Sequence, residues 1–130
     1  MSSSDSEARE ITVLVVEDDP TNATLIHDYL TAQGCFDVAI AENGESGLEL
    51  FAERDPDVVI VDVLLPGQSG FDVVRALRAA PGGARVPVLM MSAVWKDAYP
   101  QQPEPVDIQG YLVKPFRLRD LVDRIREILD

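Results

Sequence analysis

The sequence predicts a five-stranded, doubly wound α/β sandwich. Three observations carry this. Five short apolar runs are spaced along the 130 residues (Ile11–Val16, Phe36–Ala41, Val58–Val61, Val86–Met91 and Tyr111–Val113), with helical periodicity between them. The first, third and fourth are continuously apolar over Val13–Val16, Val58–Val61 and Val86–Met91, as expected of strands covered on both faces. Strands alternating with helices imply crossover connections and hence a parallel sheet. A chain of this length holds one domain with a sizeable core and is too short for two.

Taken in order, residues 1–10 are a polar, serine-rich lead-in, expected to form a mobile tail ahead of a domain spanning residues 11–130. After Ile11–Val16 come three adjacent acids, Glu17, Asp18 and Asp19, and then Pro20. Asp19-Pro20 is an N-cap followed by proline at the first helical position. In Pro20–Gln33, Leu25, Ile26, Tyr29 and Leu30 are expected on one apolar face. Asn43-Gly44 opens a second helix carrying Leu48 and Phe51, and Ser69-Gly70 opens a third carrying Phe71, Val74 and Leu77. Pro81-Gly82-Gly83-Ala84 reads as a loop. A fourth helix would lie between Trp95 and Gly110, but Pro100, Pro103 and Pro105 stand there. Each proline inside a helix costs about 3 kcal/mol, so that helix is expected to be short, displaced or replaced by a loop. Leu118, Leu121, Val122, Ile125, Ile128 and Leu129 mark the last helix.

The formal net charge of −12, from 23 acids and 11 bases, argues against this domain holding nucleic acid or an anionic membrane by itself. It suits cation binding and basic protein partners. The apolar runs are strand-length, too short to span a bilayer. The lead-in lacks a hydrophobic signal core, and Cys35 is the sole cysteine, so a reducing cytoplasm is the expected location. Cys35 reads as a partly buried small hydrophobe, and His27, the sole histidine, as an exposed helical residue.

In a parallel sheet the carboxyl ends of the strands open onto one edge, where ligands bind. The first strand ends in Glu17 and Asp18, the third runs into Asp62, the fourth into Ser92 and the fifth into Lys114. Converging carboxylates raise one another's pKa unless a cation neutralises them. An all-oxygen donor set without nearby His or Cys points to Mg²⁺ or Mn²⁺ rather than zinc. A lysine and a hydroxyl facing such a cation supply what a phosphoryl group needs, and a carboxylate could itself accept that group as an acyl phosphate. Neither GxxxxGK[ST] nor GxGxxG is present, so no glycine-rich loop cradles the phosphate.

The segments VLVVEDDP, VVIVDVLLPGQSGFD, VPVLMMSA and GYLVKPF resemble, in order, the signature segments of the response-regulator receiver domain of two-component signalling. The resemblance runs from about Ile11 to Asp130 and implies a flavodoxin-like sheet of order 2-1-3-4-5. It implies Asp62 as the phosphoacceptor, with Asp18 as a direct Mg²⁺ ligand, Glu17 acting mainly through a bound water, and the main-chain carbonyl of Leu64 completing the shell. Lys114 would pair with the phosphoryl oxygens, and with Asp62 before phosphorylation, and a cis Lys114–Pro115 bond is expected. Ser92 would donate its hydroxyl to the phosphoryl group, and Tyr111 would be the rotating aromatic switch. Ala93 would leave room for the phosphoryl donor.

The implied partner is a sensor histidine kinase or a histidine phosphotransfer protein, and the implied catalysis is limited to the domain's own phosphorylation and dephosphorylation. Leu64 and Val94 offer no polar side chain to orient water, so slow self-dephosphorylation is expected. Asp-Ile-Gln-Gly precedes Tyr111 where the family usually has Ala-Gly-Ala, and with the three prolines this argues for a non-standard output face. A receiver acting alone is the leading expectation, because Asp130 ends the last helix with no linker following. A receiver of a longer regulator with a DNA-binding or enzymatic output domain is the alternative. A metal-dependent phosphatase is a third reading, although Asp62 is followed by Val63-Leu64 and not by the second acid of a DxDx[TV] motif.

Overall fold

Strand β1 (Ile11–Val16) leads through Asp19 into helix α1 (Pro20–Ala32), and the Asp19 side chain caps that helix by accepting the Asn22 N–H at 3.2 Å. Strand β2 (Phe36–Ala41) is followed by α2 (Gly44–Arg54), capped by Asn43 Oδ1, which accepts the Ser46 N–H at 2.8 Å. Strand β3 (Val58–Asp62) runs into a small antiparallel ladder, β4 (Leu64–Leu65) with β5 (Gln68–Ser69), that the sequence reading did not foresee. Ser69 Oγ then accepts the Phe71 N–H at 3.0 Å and starts α3 (Gly70–Ala79). Strands β6 (Val88–Ser92) and β7 (Gly110–Val113) and helix α4 (Leu118–Leu129) complete the elements among the described residues. The computed structural model describes residues 10–92 and 107–130. Residues 1–9 of the expected 1–10 tail and the proline-rich segment with its expected disrupted fourth helix therefore lie outside the described residues.

The large sheet is parallel throughout, in the order β2-β1-β3-β6-β7, which is the predicted 2-1-3-4-5. Alternation within the continuously apolar strands sends successive side chains to opposite faces. Leu14, Val16, Val59, Val61 and Met90 pack with Phe51, Phe71, Val74 and Leu77 from α2 and α3. Val13, Val15, Ile60, Leu89 and Met91 pack with Ile26, Leu30, Leu121 and Ile125 from α1 and α4. Two cores on one sheet leave the strand ends as the place where polar groups can gather.

Several boundaries differ from expectation. The fourth large strand begins at Val88 instead of Val86, because Pro87 has no N–H to donate, although its carbonyl accepts the Val59 N–H at 3.0 Å. The third and fourth strands each run one residue further, to Asp62 and Ser92. Leu25 is 53% exposed and does not share the buried face of Ile26 and Leu30. It precedes Ile26 by one 100° step, enough to turn it out to solvent. Cys35 is partly buried, as expected, and His27 is partly exposed beside Asp28, with its Nδ1 3.0 Å from the neighbouring carboxylate.

Candidate functional site

The register of the sheet assembles one polar cluster from four strand ends. Val16 lies opposite Val61, so Glu17 and Asp62 leave β1 and β3 at the same level. Asp62 pairs with Met91 and Val113 with Ser92, which brings Lys114, one residue past β7, to the same edge. Glu17 is 2% exposed, Asp62 5% and Ser92 1%, whereas Asp18 is exposed. One carboxylate oxygen from each of Glu17, Asp18 and Asp62 lies within 4.8 Å of the others.

Among the described residues, one cation faces this cluster. Lys114 Nζ donates to Asp62 Oδ2 at 2.7 Å and approaches Glu17 Oε1 at 3.4 Å. The remaining oxygens meet main-chain donors: Asp62 Oδ1 accepts the Leu64 N–H at 3.1 Å, and Glu17 Oε2 accepts the Asp19 N–H at 3.2 Å. Burial by itself would lower the Lys114 pKa, but the hydrogen bond and charge of Asp62, aided by Glu17, outweigh it and hold the ammonium above its ordinary range. Glu17 is pushed above the ordinary carboxylate range, chiefly by burial and further by the Asp62 charge. The Asp19 N–H and Lys114 oppose the rise without cancelling it.

A raised Glu17 pKa means that the folded state binds this proton more tightly than the unfolded state does. The associated stability is complete below the unfolded value near 4.5 and is lost as pH rises through the higher folded value. Ionised Glu17 therefore costs stability at neutral pH. In EDTA-containing buffer, Glu17→Gln is expected to melt above wild type at pH 7, and the gap should close as pH falls toward 4.5. Thermal melts across that pH range check this, and an equal gap at both ends would contradict it.

The turn after Asp62 is built tightly. Gly70 N–H donates to the Val63 carbonyl at 2.7 Å, closing the small ladder back onto the end of β3. Leu64 is 65% exposed at the cluster's rim. The Lys114–Pro115 bond is cis, as the resemblance implied. Tyr111 sits on β7 opposite Met90 and is partly buried against the α2/α3 core, and Lys114 N–H donates to the Ser92 carbonyl at 3.1 Å.

The structure thus gathers Glu17, Asp18, Asp62 and Lys114 into direct proximity, with Ser92 buried at the adjoining strand end and Tyr111 along β7. Ala93 and Val94 lie outside the described residues. Sequence reading missed a cavity of about 580 Å³ beside the cluster, lined by Glu17, Asn22, Leu25, Lys114 and Phe116 among others. No sequence signal marked it, because Leu25 reads as part of the buried face of its helix and only the structure turns it outward. The donor chemistry suits a hard divalent cation: three carboxylates, no His or Cys, and two of the acids buried with one ammonium between them.

Comparison with known proteins agrees with this geometry. The response regulator receiver domain family matches residues 13–126. The DNA-binding response regulator MtrA of Mycolicibacterium smegmatis is 36% identical over 122 residues, covering 88% of this chain and 48% of that protein. Chemotaxis protein CheY4 of Vibrio cholerae superposes with a TM-score of 0.85 at 28% identity, covering 92% of this chain and 99% of that one. The receiver domain of sensor histidine kinase PA1611 from Pseudomonas aeruginosa, whose structure carries a coordinated magnesium ion in its active site cleft, gives 0.84 at 26% identity, covering 92% and 98%. This chain belongs to the response regulator receiver domain family. It spans about half the length of the curated relatives it matches. No helix among the described residues is long and apolar enough to cross a membrane.

Proposed function

We propose that this domain accepts a phosphoryl group on Asp62 from the phosphohistidine of a sensor histidine kinase or histidine phosphotransfer protein. The observation that carries the reading is Asp62 itself, a buried carboxylate at the carboxyl end of a central strand, with Lys114 Nζ at 2.7 Å and two further acids beside it. An Asp62 oxygen attacks phosphorus, the P–N bond breaks, and the imidazole nitrogen keeps the electron pair. The product is an acyl phosphate on Asp62. Lys114, released from part of its bond to Asp62, pairs with the incoming phosphoryl oxygens, and the buried Ser92 hydroxyl donates to them. Tyr111 follows Ser92 and changes the face around β6 and β7.

Asp18, Asp62 and the Leu64 carbonyl would hold Mg²⁺ directly, with Mn²⁺ a substitute, and Glu17 would act mainly through a bound water. Bound Mg²⁺ supplies the positive charge that screens two anions brought together for transfer. The coordinated magnesium in the PA1611 receiver supports this assignment. The chain's catalysis extends to its own phosphorylation and dephosphorylation and no further.

The test is incubation with acetyl phosphate, with and without Mg²⁺, followed by intact mass. One phosphoryl group per chain, taken up only with Mg²⁺, is expected. Absence of label, or multiple turnover on added phosphoesters, would overturn the reading. Leu64 stands two residues past Asp62 with no polar group to orient an attacking water. The phosphorylated chain is therefore expected to hold its label for many minutes after donor removal, and a half-life of seconds would refute this. A second reading, a receiver within a longer DNA-binding regulator, is favoured by the half-length match to such proteins. A DNA-binding segment in the parent gene beyond residue 130 would establish it.

A further inference from the structure

At the opposite end of the sheet from Asp62, the Arg78 guanidinium is committed to main-chain oxygens of three residues in two separate segments. Its Nη1 donates to the carbonyls of Gly83 at 2.9 Å and Val86 at 2.6 Å. Its Nε and Nη2 donate to the Asp107 carbonyl at 3.2 and 2.7 Å, and Nη2 also reaches Gln109 Oε1 at 3.1 Å. That same Gln109 oxygen accepts the Val88 N–H at 2.8 Å, while Gln109 N–H donates to the Val88 carbonyl at 2.8 Å. Side chain and main chain of Gln109 together bracket the first residue of β6.

Strand β7 needs such an anchor. It has four residues, lies at the edge of the sheet, and pairs with β6 alone. Short edge strands fray, and each residue of displacement along a strand moves its end by about 3.3 Å. Lys114 follows β7 directly, and its 2.7 Å contact with Asp62 tolerates no such movement.

We propose that Arg78 is a positioning residue for phosphoryl transfer: with Gln109 it fixes β7 along β6 and so sets where Lys114 Nζ meets Asp62. The proposal rests on the role of Lys114 given above. Lysine cannot replace it, since a single ammonium lacks the planar fork that spans Nη1 and Nη2 partners at once.

The test compares acetyl-phosphate labelling of wild type, Arg78→Met, Arg78→Lys, Lys114→Met and the Arg78→Met/Lys114→Met double variant, with Mg²⁺ affinity measured alongside. Circular dichroism confirms folding, and Gln109→Leu serves as the second single variant if Arg78→Met does not fold. Arg78→Met is expected to slow labelling by up to about a hundredfold, as misplacing one group by an ångström can, with Mg²⁺ affinity unchanged and no rescue by lysine. In the Lys114→Met background the same change should cost nothing more, because its effect passes through Lys114. A merely destabilising change would lower apparent Mg²⁺ binding and rate together and would act equally in both backgrounds. Unchanged labelling in Arg78→Met or Gln109→Leu, or full additivity with Lys114→Met, overturns the clamp. If Lys114→Met itself labels at the wild-type rate, the reading of Lys114 fails instead.

Discussion

Asp62→Asn is expected to remain folded and to take up no phosphoryl label, matching a control without donor. Asparagine keeps the shape of aspartate but has no anionic oxygen, and an amide oxygen does not attack phosphorus at neutral pH. Nor does it fit the existing donors. Asp62 meets an N–H from Leu64 on one oxygen and the Lys114 ammonium on the other. Either orientation of the amide therefore sets its NH₂ against one of these donors. The loss is limited because Glu17 Oε1, 3.4 Å from Lys114 Nζ, remains an acceptor, and because removing one of three clustered carboxylates relieves repulsion. Intact mass after acetyl phosphate and Mg²⁺, with circular dichroism on the same sample, checks both halves. A labelled Asp62→Asn would move the acceptor to another carboxylate, with Asp18 and Glu17 the neighbours to examine.

The strands and the polar edge were legible because both depend on local, periodic facts. A run such as Val58–Val61 has few alternatives to a doubly covered strand, and in a parallel sheet its next residue must arrive at the shared edge. Asp62, Glu17 and Lys114 follow from that rule alone. The β4/β5 ladder was not legible, since two-residue strands leave no periodicity to read. The Arg78 clamp was hidden for a different reason. Arg78 is separated from Asp107 and Gln109 by 29 and 31 residues, and only the tertiary fold brings a helix end to the start of an edge strand. Leu25 illustrates a third limit: an apolar residue adjacent to a buried face scores as part of that face until the packing is known.

Gly70→Ala is expected to be the most damaging single methyl addition near the site. A Cβ at Gly70 would be driven into the Asp62 carbonyl oxygen and would lie 2.9 Å from Val63 Cα, both of them main-chain atoms. Main chain cannot rotate away as a side-chain tip can, and Gly70 N–H is bonded to the Val63 carbonyl at 2.7 Å, so the end of β3 must shift bodily. Overpacking of this kind costs about 3 kcal/mol, which for a chain of this size lowers Tm by roughly 10 °C. The same shift displaces Asp62, so labelling should fall beyond any loss of folded protein. Two other glycines isolate the cause. Gly44→Ala meets Gln68, which is exposed and can swing aside, and a buried Val73 methyl 2.8 Å away; both are side-chain atoms and neither belongs to the Asp62 turn, so a smaller loss is expected. Gly67 has φ +74° with open space around its missing Cβ, so Gly67→Ala costs only the left-handed backbone strain, about 1 kcal/mol, and should leave the labelling rate of the folded protein intact. Equal losses in all three variants would mean that general loop strain, and not the contact between Gly70 and the Asp62 main chain, sets the requirement for glycine beside the phosphoacceptor.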